Sequence, residues 1–238
     1  MSFILFDTET TGNTESDRIC QIAIGILGTE STKYICEYCK PEVSISFHAM
    51  AVHGITPEKI ADKLSFSTLY SAQILKSMNS QNNVIIAHNA TFDIDMLKKE
   101  GIEWVGGVID TLRCAKHLLP DEESYALQYL RYSLGIYKEE GCEEEKDLKA
   151  RFETFSAHDA LFDIYILKKL FKKLFVLAGS SQKMIELTNK PVELKKIRFG
   201  KYKDKSFDEI AKSDIGYLRW LVQNSDDEDI KYTVSMFL

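Results

Sequence analysis

The alternation of apolar and polar positions predicts strands in the first part of the chain. Residues 3–6 are four consecutive apolar residues, a run typical of a buried strand. Residues 19–27 and 34–39 predict two further strands, with residues 28–31 as the turn between them. Together the three strands indicate an antiparallel meander.

After the meander, short apolar strands alternate with helical patterns. Two more strands are expected at residues 84–87 and 105–109, and each of them is followed by a helix. The helices are expected, in chain order, at residues 67–78, 92–100, 111–119, 124–134 and 158–177. A meander followed by alternating strands and helices predicts an α/β fold with a mixed five-stranded sheet flanked by helices.

Two charged stretches interrupt this pattern. Residues 138–153 are rich in glutamate and poor in large apolar residues, so we expect a solvated loop or a frayed helix there. Residues 190–205 contain seven basic and only two acidic residues, and a capping-box pattern directly after them predicts the start of a helix. This shift in composition divides the chain into a domain of residues 1–180 and a small basic C-terminal module of residues 190–238.

The overall composition is that of a soluble globular protein, with 45% hydrophobic and 28% charged residues among 238. No apolar run approaches the roughly 20 residues of a membrane span, and the N-terminal run lacks the basic region of a signal peptide. An odd number of cysteines, five, indicates reduced thiols, so we expect a cytoplasmic protein without a membrane partner. The net charge of −6 argues against coating nucleic acid by bulk charge, but it permits an enzyme that grips a few phosphates.

Two carboxylates follow the first predicted strand. Asp7 and Glu9 are two residues apart, and on an extended strand such side chains point to the same face. Like charges this close raise each other's pKa unless a cation lies between them. The pair therefore indicates either a site for a hard metal ion with oxygen ligands, or a polar turn in which Asp7 caps the strand.

Three further residues are candidates for the same site. Asp93 follows another core strand, and His158 and Asp163 lie at the start of a long helix. Four carboxylates would balance two divalent cations, which is a known arrangement for in-line phosphoryl displacement. Five residues on a helix turn through about 140° beyond a full turn, so His158 is expected in the irregular approach to the helix, where it could act as general base.

Three segments of the chain resemble the three exonuclease motifs of the DnaQ-like 3′-to-5′ exonucleases. They are residues 6–12, 88–93 and 158–163, and the histidine five residues before the last aspartate is typical of the DEDDh subgroup. The resemblance implies a ribonuclease H-like fold over about residues 3–178 and two Mg²⁺ ions, for which Mn²⁺ may substitute. It implies metal binding by Asp7, Glu9, Asp93 and Asp163, with His158 completing the catalytic set.

Residues 49–56 also look like the family's segment between its first two motifs. The resemblance implies that the substrate is bound near these motifs. The substrate-binding residues expected from it are Thr8, Thr10, Gly12, Asn13, His53, Asn89 and Phe92. Asn13 stands where members often carry an apolar residue against the terminal base. Histidine and asparagine at 88–89 are also typical of a turn and a helix cap.

The C-terminal module is similar to that of exodeoxyribonuclease X-like proteins, on residues 199–203 and 216–221. That similarity implies DNA as the substrate, degraded from its 3′ end to 5′-mononucleotides in repair or proofreading. An exoribonuclease of the same fold and a polymerase-associated proofreading subunit are the alternatives, with RNA and a polymerase or repair protein as the corresponding partners. Tyr217 and Trp220 fall at helical spacing, and we expect Trp220 in the core rather than as a base-stacking surface.

Overall fold

The computed structural model describes every residue from Met1 to Leu238 and contains one five-stranded sheet. The strands are β1 (Phe3–Thr10), β2 (Ile19–Leu27), β3 (Thr32–Tyr38), β4 (Val84–Ala87) and β5 (Gly107–Asp110). Their spatial order is β3-β2-β1-β4-β5. The β1–β2 and β2–β3 pairs are antiparallel, whereas β1–β4 and β4–β5 are parallel. The predicted mixed five-stranded sheet is confirmed.

Helices cover the sheet and form the C-terminal part of the chain. They are α1 (Phe47–His53), α2 (Pro57–Ile60), α3 (Tyr70–Met78), α4 (Ala90–Lys99), α5 (Thr111–Leu118), α6 (Leu127–Ser133), α7 (Glu143–Arg151), α8 (Ala160–Ala178), α9 (Ser181–Thr188), α10 (Phe207–Ser213), α11 (Ile215–Asn224) and α12 (Glu228–Ser235). None of them combines the length and apolar character needed to cross a membrane.

Strand β1 lies in the middle of the sheet with helices on both of its faces. Leu5 belongs to the apolar core beneath α8, while Ile4 and Phe6 belong to the core beneath α3 and α4. The strand continues to Thr10, four residues beyond the apolar run, because β2 pairs with it along this length. Backbone hydrogen bonds of the sheet thus hold the segment that contains Asp7 and Glu9.

The charged stretch at 138–153 is more ordered than its composition indicates. Within it, α7 buries Leu148 and Glu145 against α8. The Tyr165 hydroxyl and the backbone N–H of Gly141 donate hydrogen bonds to Glu145. Of the two expected alternatives, a solvated loop or a frayed helix, the structure has a helix at residues 143–151, and hydrogen bonds satisfy its buried carboxylate.

Helices α9 and α12 were not predicted from the sequence. Helix α9 follows residue 180 directly and places Met184 and Leu187 in the core shared by α8 and β5. Helix α12 joins α10 and α11 in a separate apolar cluster of the C-terminal module. Asp229 of α12 is buried and accepts hydrogen bonds from Arg113 of α5, which fastens the module to the sheet domain.

Candidate active site

Three carboxylates converge above β1. Asp7 and Glu9 point to the same face of the strand, as their spacing predicts, and Asp163 approaches from the first turn of α8. One oxygen from each of the three lies within 4.8 Å of the others. The group thus has the size and the all-oxygen chemistry of a site for a hard divalent cation.

The N-terminus of α8 fixes the positions of His158 and Asp163, the two candidate site residues in the segment 158–163. Asp159 accepts hydrogen bonds from the backbone N–H groups of Leu161 and Phe162, so the helix begins at Ala160 and Asp163 falls in its first turn. His158 has a left-handed backbone with φ of 62° and is exposed. It lies outside the helix, as the sequence predicts for a residue that could not share a helical face with Asp163.

Asp93 lies on α4, which packs on the face of β1 opposite to the face covered by α8. The Thr8 hydroxyl donates a hydrogen bond of 2.7 Å to Asp93 Oδ1, and both residues are buried. Asp93 is not one of the three carboxylates in the tight group, but among neighbouring charges it acts most strongly on Asp7. The structure therefore brings together all four carboxylates that the sequence singles out.

Burial gives these carboxylates an unusual protonation behaviour. Desolvation raises the pKa of Asp7 well above its usual value, and the neighbouring carboxylates raise it further. For the same reasons the pKa of Glu9 rises to about 9. Burial also raises the pKa values of Asp93 and Asp163 to about 7, although hydrogen bonds to each carboxylate oppose the rise. No basic side chain forms an ion pair with any of the four, so an external cation would relieve their repulsion.

Gln128 on α6 is a site residue that the sequence analysis missed. Its side-chain N–H donates a hydrogen bond of 2.7 Å to Asp163 Oδ1. Arg131 donates to the Gln128 carbonyl oxygen at 3.2 Å and also pairs with Glu140. This chain of contacts fixes the orientation of the Asp163 carboxylate. Gln128 belongs to no recognisable motif, so only the packing of α6 against α8 reveals it.

A cleft of about 300 Å³ opens beside the carboxylates, between β1 and α1. Six of the seven residues expected to bind substrate line it: Thr8, Thr10, Gly12, Asn13, His53 and Phe92. Asn89 is the exception, since it has a left-handed backbone at the start of α4 and donates its N–H to Asp110. The structure therefore places Asn89 in a turn rather than in the cleft.

The histidine of α1 holds the wall of this cleft. His53 Nδ1 accepts the N–H of Ile55, so its Nε2–H donates to the Thr10 carbonyl at 3.1 Å. Burial lowers the pKa of His53, and the nearby His158 lowers it further. A neutral His53 in this tautomer is suited to holding the loop rather than to moving protons.

The loop after β1 is shaped by Asp17. Its carboxylate accepts hydrogen bonds from the hydroxyls of Thr11 and Thr14. A Cβ on Gly12 would lie 2.7 Å from an oxygen of this carboxylate. Only glycine leaves room for the bond network that holds the loop against the cleft.

Comparisons with known proteins agree with this geometry. Residues 4–171 match the exonuclease family model, and residues 197–226 match the exodeoxyribonuclease X-like C-terminal family. The chain is 28% identical to exodeoxyribonuclease 10 of Escherichia coli K12, over 98% of this chain and 97% of the relative. It is 31% identical to the DNA polymerase III epsilon subunit of Rickettsia prowazekii, over 80% of each chain.

Solved structures share the fold. Exonuclease X in complex with 5′ overhanging duplex DNA aligns with a TM-score of 0.61 at 24% identity, over 79% of this chain and 99% of the other. The zinc-bound complex of E. coli exonuclease I with single-stranded DNA aligns with a TM-score of 0.56 at 21% identity, over 78% of this chain and 42% of the other. These alignments confirm the ribonuclease H-like fold.

Proposed function

Since the chain belongs to the exonuclease family, whose model matches residues 4–171, we propose that it removes 5′-mononucleotides from the 3′ ends of DNA in a metal-dependent reaction. The observation that carries this proposal is the convergence of the Asp7, Glu9 and Asp163 carboxylates within 4.8 Å beside a cleft. The full-length similarity to exodeoxyribonuclease 10 supports DNA as the substrate.

The donor set fits two Mg²⁺ ions, which Mn²⁺ can replace. Asp7, Glu9, Asp93 and Asp163 offer only hard oxygen ligands, and none of them is neutralised by a lysine or arginine. When bound, such ions supply an activated water and neutralise charge on the attacking and leaving oxygens of an in-line displacement. Thr8 and Gln128 hold two of the four carboxylates in place through hydrogen bonds of 2.7 Å each.

His158 is the proposed general base. Its exposed imidazole lies outside α8, one residue before the helix cap, and a ring nitrogen takes a proton from the attacking water. The water oxygen bonds to the phosphorus while the bond from phosphorus to the 3′ oxygen of the preceding nucleotide breaks. The leaving 3′ oxygen takes a proton from solvent, so the products are a 5′-mononucleotide and a strand that is one residue shorter with a free 3′ hydroxyl.

The terminal nucleotide is proposed to lie in the cleft between β1 and α1. Thr10 and Gly12 supply its backbone wall, and Phe92 and Val52 supply apolar surface for a base. Asn13 stands at the rim and is exposed. A polar rim residue is suited to contact a frayed end rather than to separate paired bases.

The test is digestion of DNA that is labelled at its 5′ end. With Mg²⁺, the wild-type protein should produce a ladder of products shortened from the 3′ end, and Asp7→Asn should produce none because a ligand is lost. Asp95→Asn is the matched control, since Asp95 lies on α4 with Asp93 but is exposed. Digestion by Asp7→Asn at the wild-type rate would show that the assignment is wrong.

Proofreading within a polymerase is the second candidate, because the Rickettsia epsilon subunit is 31% identical over 80% of this chain. In that case the chain should co-purify with a polymerase, and its activity on mismatched 3′ ends should rise in the complex. An RNA substrate is distinguished by DNA and RNA oligonucleotides of one sequence without thymine or uracil, which differ only in the 2′ hydroxyl. The proposed location is the cytoplasm, where all five cysteines would remain as the free thiols observed here.

A further inference from the structure

Helix α11 presents a tryptophan to solvent. Leu218 and Leu221 are buried in the module's core, whereas Trp220 is 52% exposed. Its ring stacks on Tyr217 with centroids 5.7 Å apart and an angle of 27° between the planes. The expectation that Trp220 belongs to the core is therefore wrong, because helical spacing does not reveal which face of a helix is covered.

A basic loop extends this aromatic stack. The loop of residues 196–206 is closed by the bridge between Lys196 and Ser206, and Tyr202 packs edge-on against Tyr217 at 4.8 Å. The Lys201 ammonium lies 4.7 Å from the Tyr202 ring centroid and 5.4 Å from that of Tyr217. The result is a continuous surface of aromatic rings beside a positive charge.

Asp214 holds this surface in a single arrangement. It accepts hydrogen bonds from Lys201 Nζ at 3.0 Å and from the Tyr202 hydroxyl at 2.9 Å, and it caps the start of α11. Gly200 has φ of +64°, and a Cβ there would lie 3.2 Å from the Tyr217 hydroxyl. The loop can approach the stack this closely because position 200 is glycine, so the rings are positioned before any ligand arrives.

The charge around the rings favours a polyanion. Residues 190–205 hold seven basic and two acidic residues in a chain whose net charge is −6. Lys196, Lys203 and Lys205 are exposed and form no ion pair with any carboxylate. Arg219, next to Trp220, is exposed as well. Several positive charges therefore remain available to phosphates.

We infer that the Trp220–Tyr217 stack and the basic loop form a binding platform for single-stranded nucleic acid, on which an unpaired base stacks while lysines contact the phosphates. Exposed aromatic rings beside basic side chains bind single strands with little sequence preference, because every base has a π-face. This inference rests on the proposed function, since the bound segment would be the 5′ continuation of the strand whose 3′ end is hydrolysed.

The platform has a fixed relation to the sheet domain. Asp229 accepts hydrogen bonds from Arg113 at 2.8 and 2.7 Å, from Lys116 at 3.2 Å and from the Val192 N–H at 2.8 Å. Arg113 and Lys116 belong to α5, which follows β5 directly. A platform that is docked in this way can hold the strand at a constant distance from the carboxylates.

The test uses the full chain and a 5′-labelled oligothymidine of about 20 nucleotides, with EDTA present to prevent cleavage. Fluorescence anisotropy should show that Trp220→Ala binds at least about fivefold more weakly than the wild type, the loss expected for one stacked base. Trp220→Phe should recover much of the affinity, because it restores an aromatic face. Lys203→Ala should lower the slope of log affinity against log salt by about 0.7.

Tyr232→Ala is the matched control, because Tyr232 is an exposed aromatic residue on α12 of the same module. It should bind the oligonucleotide as the wild type does. Intrinsic fluorescence provides a second readout: Trp220 should be quenched by the oligonucleotide, whereas Trp104 donates its indole N–H to Gly107 and should not respond. If Trp220→Ala leaves the affinity unchanged, or if the oligonucleotide does not quench Trp220 in the wild type, the stack serves another partner, such as a protein, and the inference is overturned.

Hydrolysis of a dinucleotide with Mg²⁺ separates this inference from the proposed function. A dinucleotide lacks the 5′ continuation that the platform would hold, so Trp220→Ala should impair cleavage of the oligothymidine far more than cleavage of the dinucleotide. Failure of the wild type to cleave either substrate would refute the proposed function. Normal cleavage together with unchanged binding by Trp220→Ala would refute the platform alone.

Discussion

Replacing Asp163 by asparagine should stabilise the metal-free protein while abolishing its activity. Asparagine has the same shape as aspartate and retains an oxygen that can accept the hydrogen bond from Gln128. It removes one of four carboxyl groups whose ionisation is opposed by burial and by the neighbouring carboxylates when no cation is bound. The substitution therefore relieves repulsion in the folded state and leaves the packing of α8 unchanged.

The size of the effect follows from the pKa of Asp163, which burial raises from 3.8 to about 7. A pKa difference of one corresponds to about 1.4 kcal/mol, so ionised Asp163 costs the fold at most roughly 4 kcal/mol. Because four coupled carboxylates share the available protons, we expect one substitution to recover about 2 kcal/mol.

The pH dependence has a definite sign. The folded state binds the proton more tightly than the unfolded state, so this contribution to stability is complete below about pH 4 and is lost as the pH rises through 7. Wild-type stability should therefore fall between pH 5 and pH 8 in EDTA. The advantage of Asp163→Asn should be largest at pH 8 and smaller at pH 5.

Urea unfolding in EDTA, followed by circular dichroism at both pH values, measures this difference. Asp227→Asn is the matched control, because Asp227 is an exposed cap of α12 outside the group of four carboxylates above β1 and asparagine can cap the helix equally well. Its stability should equal that of the wild type at both pH values. With Mg²⁺ the wild type should gain more stability than the variant. If Asp163→Asn is no more stable than the wild type at pH 8 in EDTA, the carboxylates do not repel one another as described.

Three further substitutions test other parts of the structure. Gln128→Ala frees the Asp163 carboxylate to rotate. Nuclease activity should therefore fall by about 10- to 100-fold, and the Mg²⁺ concentration for half-maximal activity should rise. An unchanged Mg²⁺ dependence would exclude a role of Gln128 in orienting this carboxylate. Gly12→Ala forces a methyl group against Asp17, so KM for DNA should rise and stability should fall by about 1–3 kcal/mol in urea unfolding. Asp229→Ala leaves Arg113 without its carboxylate partner at the contact between the module and the sheet domain. The free energy of unfolding should therefore fall by about 2–4 kcal/mol, and limited proteolysis should cut near residue 190. Resistance to proteolysis would show that apolar contacts suffice to hold the module in place.

Asp7 and Glu9 could be paired from the sequence because their positions depend on local periodicity, whereas Asp93 and Asp163 were assigned from the ends of predicted elements and from the resemblance to the exonuclease motifs. Asp7 and Glu9 share a face on any strand, and His158 cannot share a helical face with Asp163. Gln128 could not be found in this way, because its contact depends on how α6 crosses α8, 35 residues along the chain. Local spacing determines which residues can meet on one element, and packing between elements determines which do.

The expectations that were wrong also concern packing between elements, which spacing along one element does not show. Helical spacing placed Trp220 on a face with Tyr217 but did not show that this face is open to solvent. The charged stretch at 138–153 lacks apolar periodicity, yet Glu145 within it is buried. The fold tolerates this buried carboxylate because the Tyr165 hydroxyl, on another helix, donates a hydrogen bond to it. Helix α9 is only eight residues long, too short for an apolar period to indicate it.

His158, the proposed general base, has a left-handed backbone, so its position sets folding stability against the proposed activity. A non-glycine residue with φ of 62° carries backbone strain of about 1 kcal/mol or more, which glycine would avoid. Selection for folding alone would therefore favour glycine or asparagine at position 158, whereas the proposed role as general base requires histidine. Among diverging copies of this chain, the identity of this one residue should record whether a copy is still under selection for hydrolysis, even where the rest of the fold has been preserved.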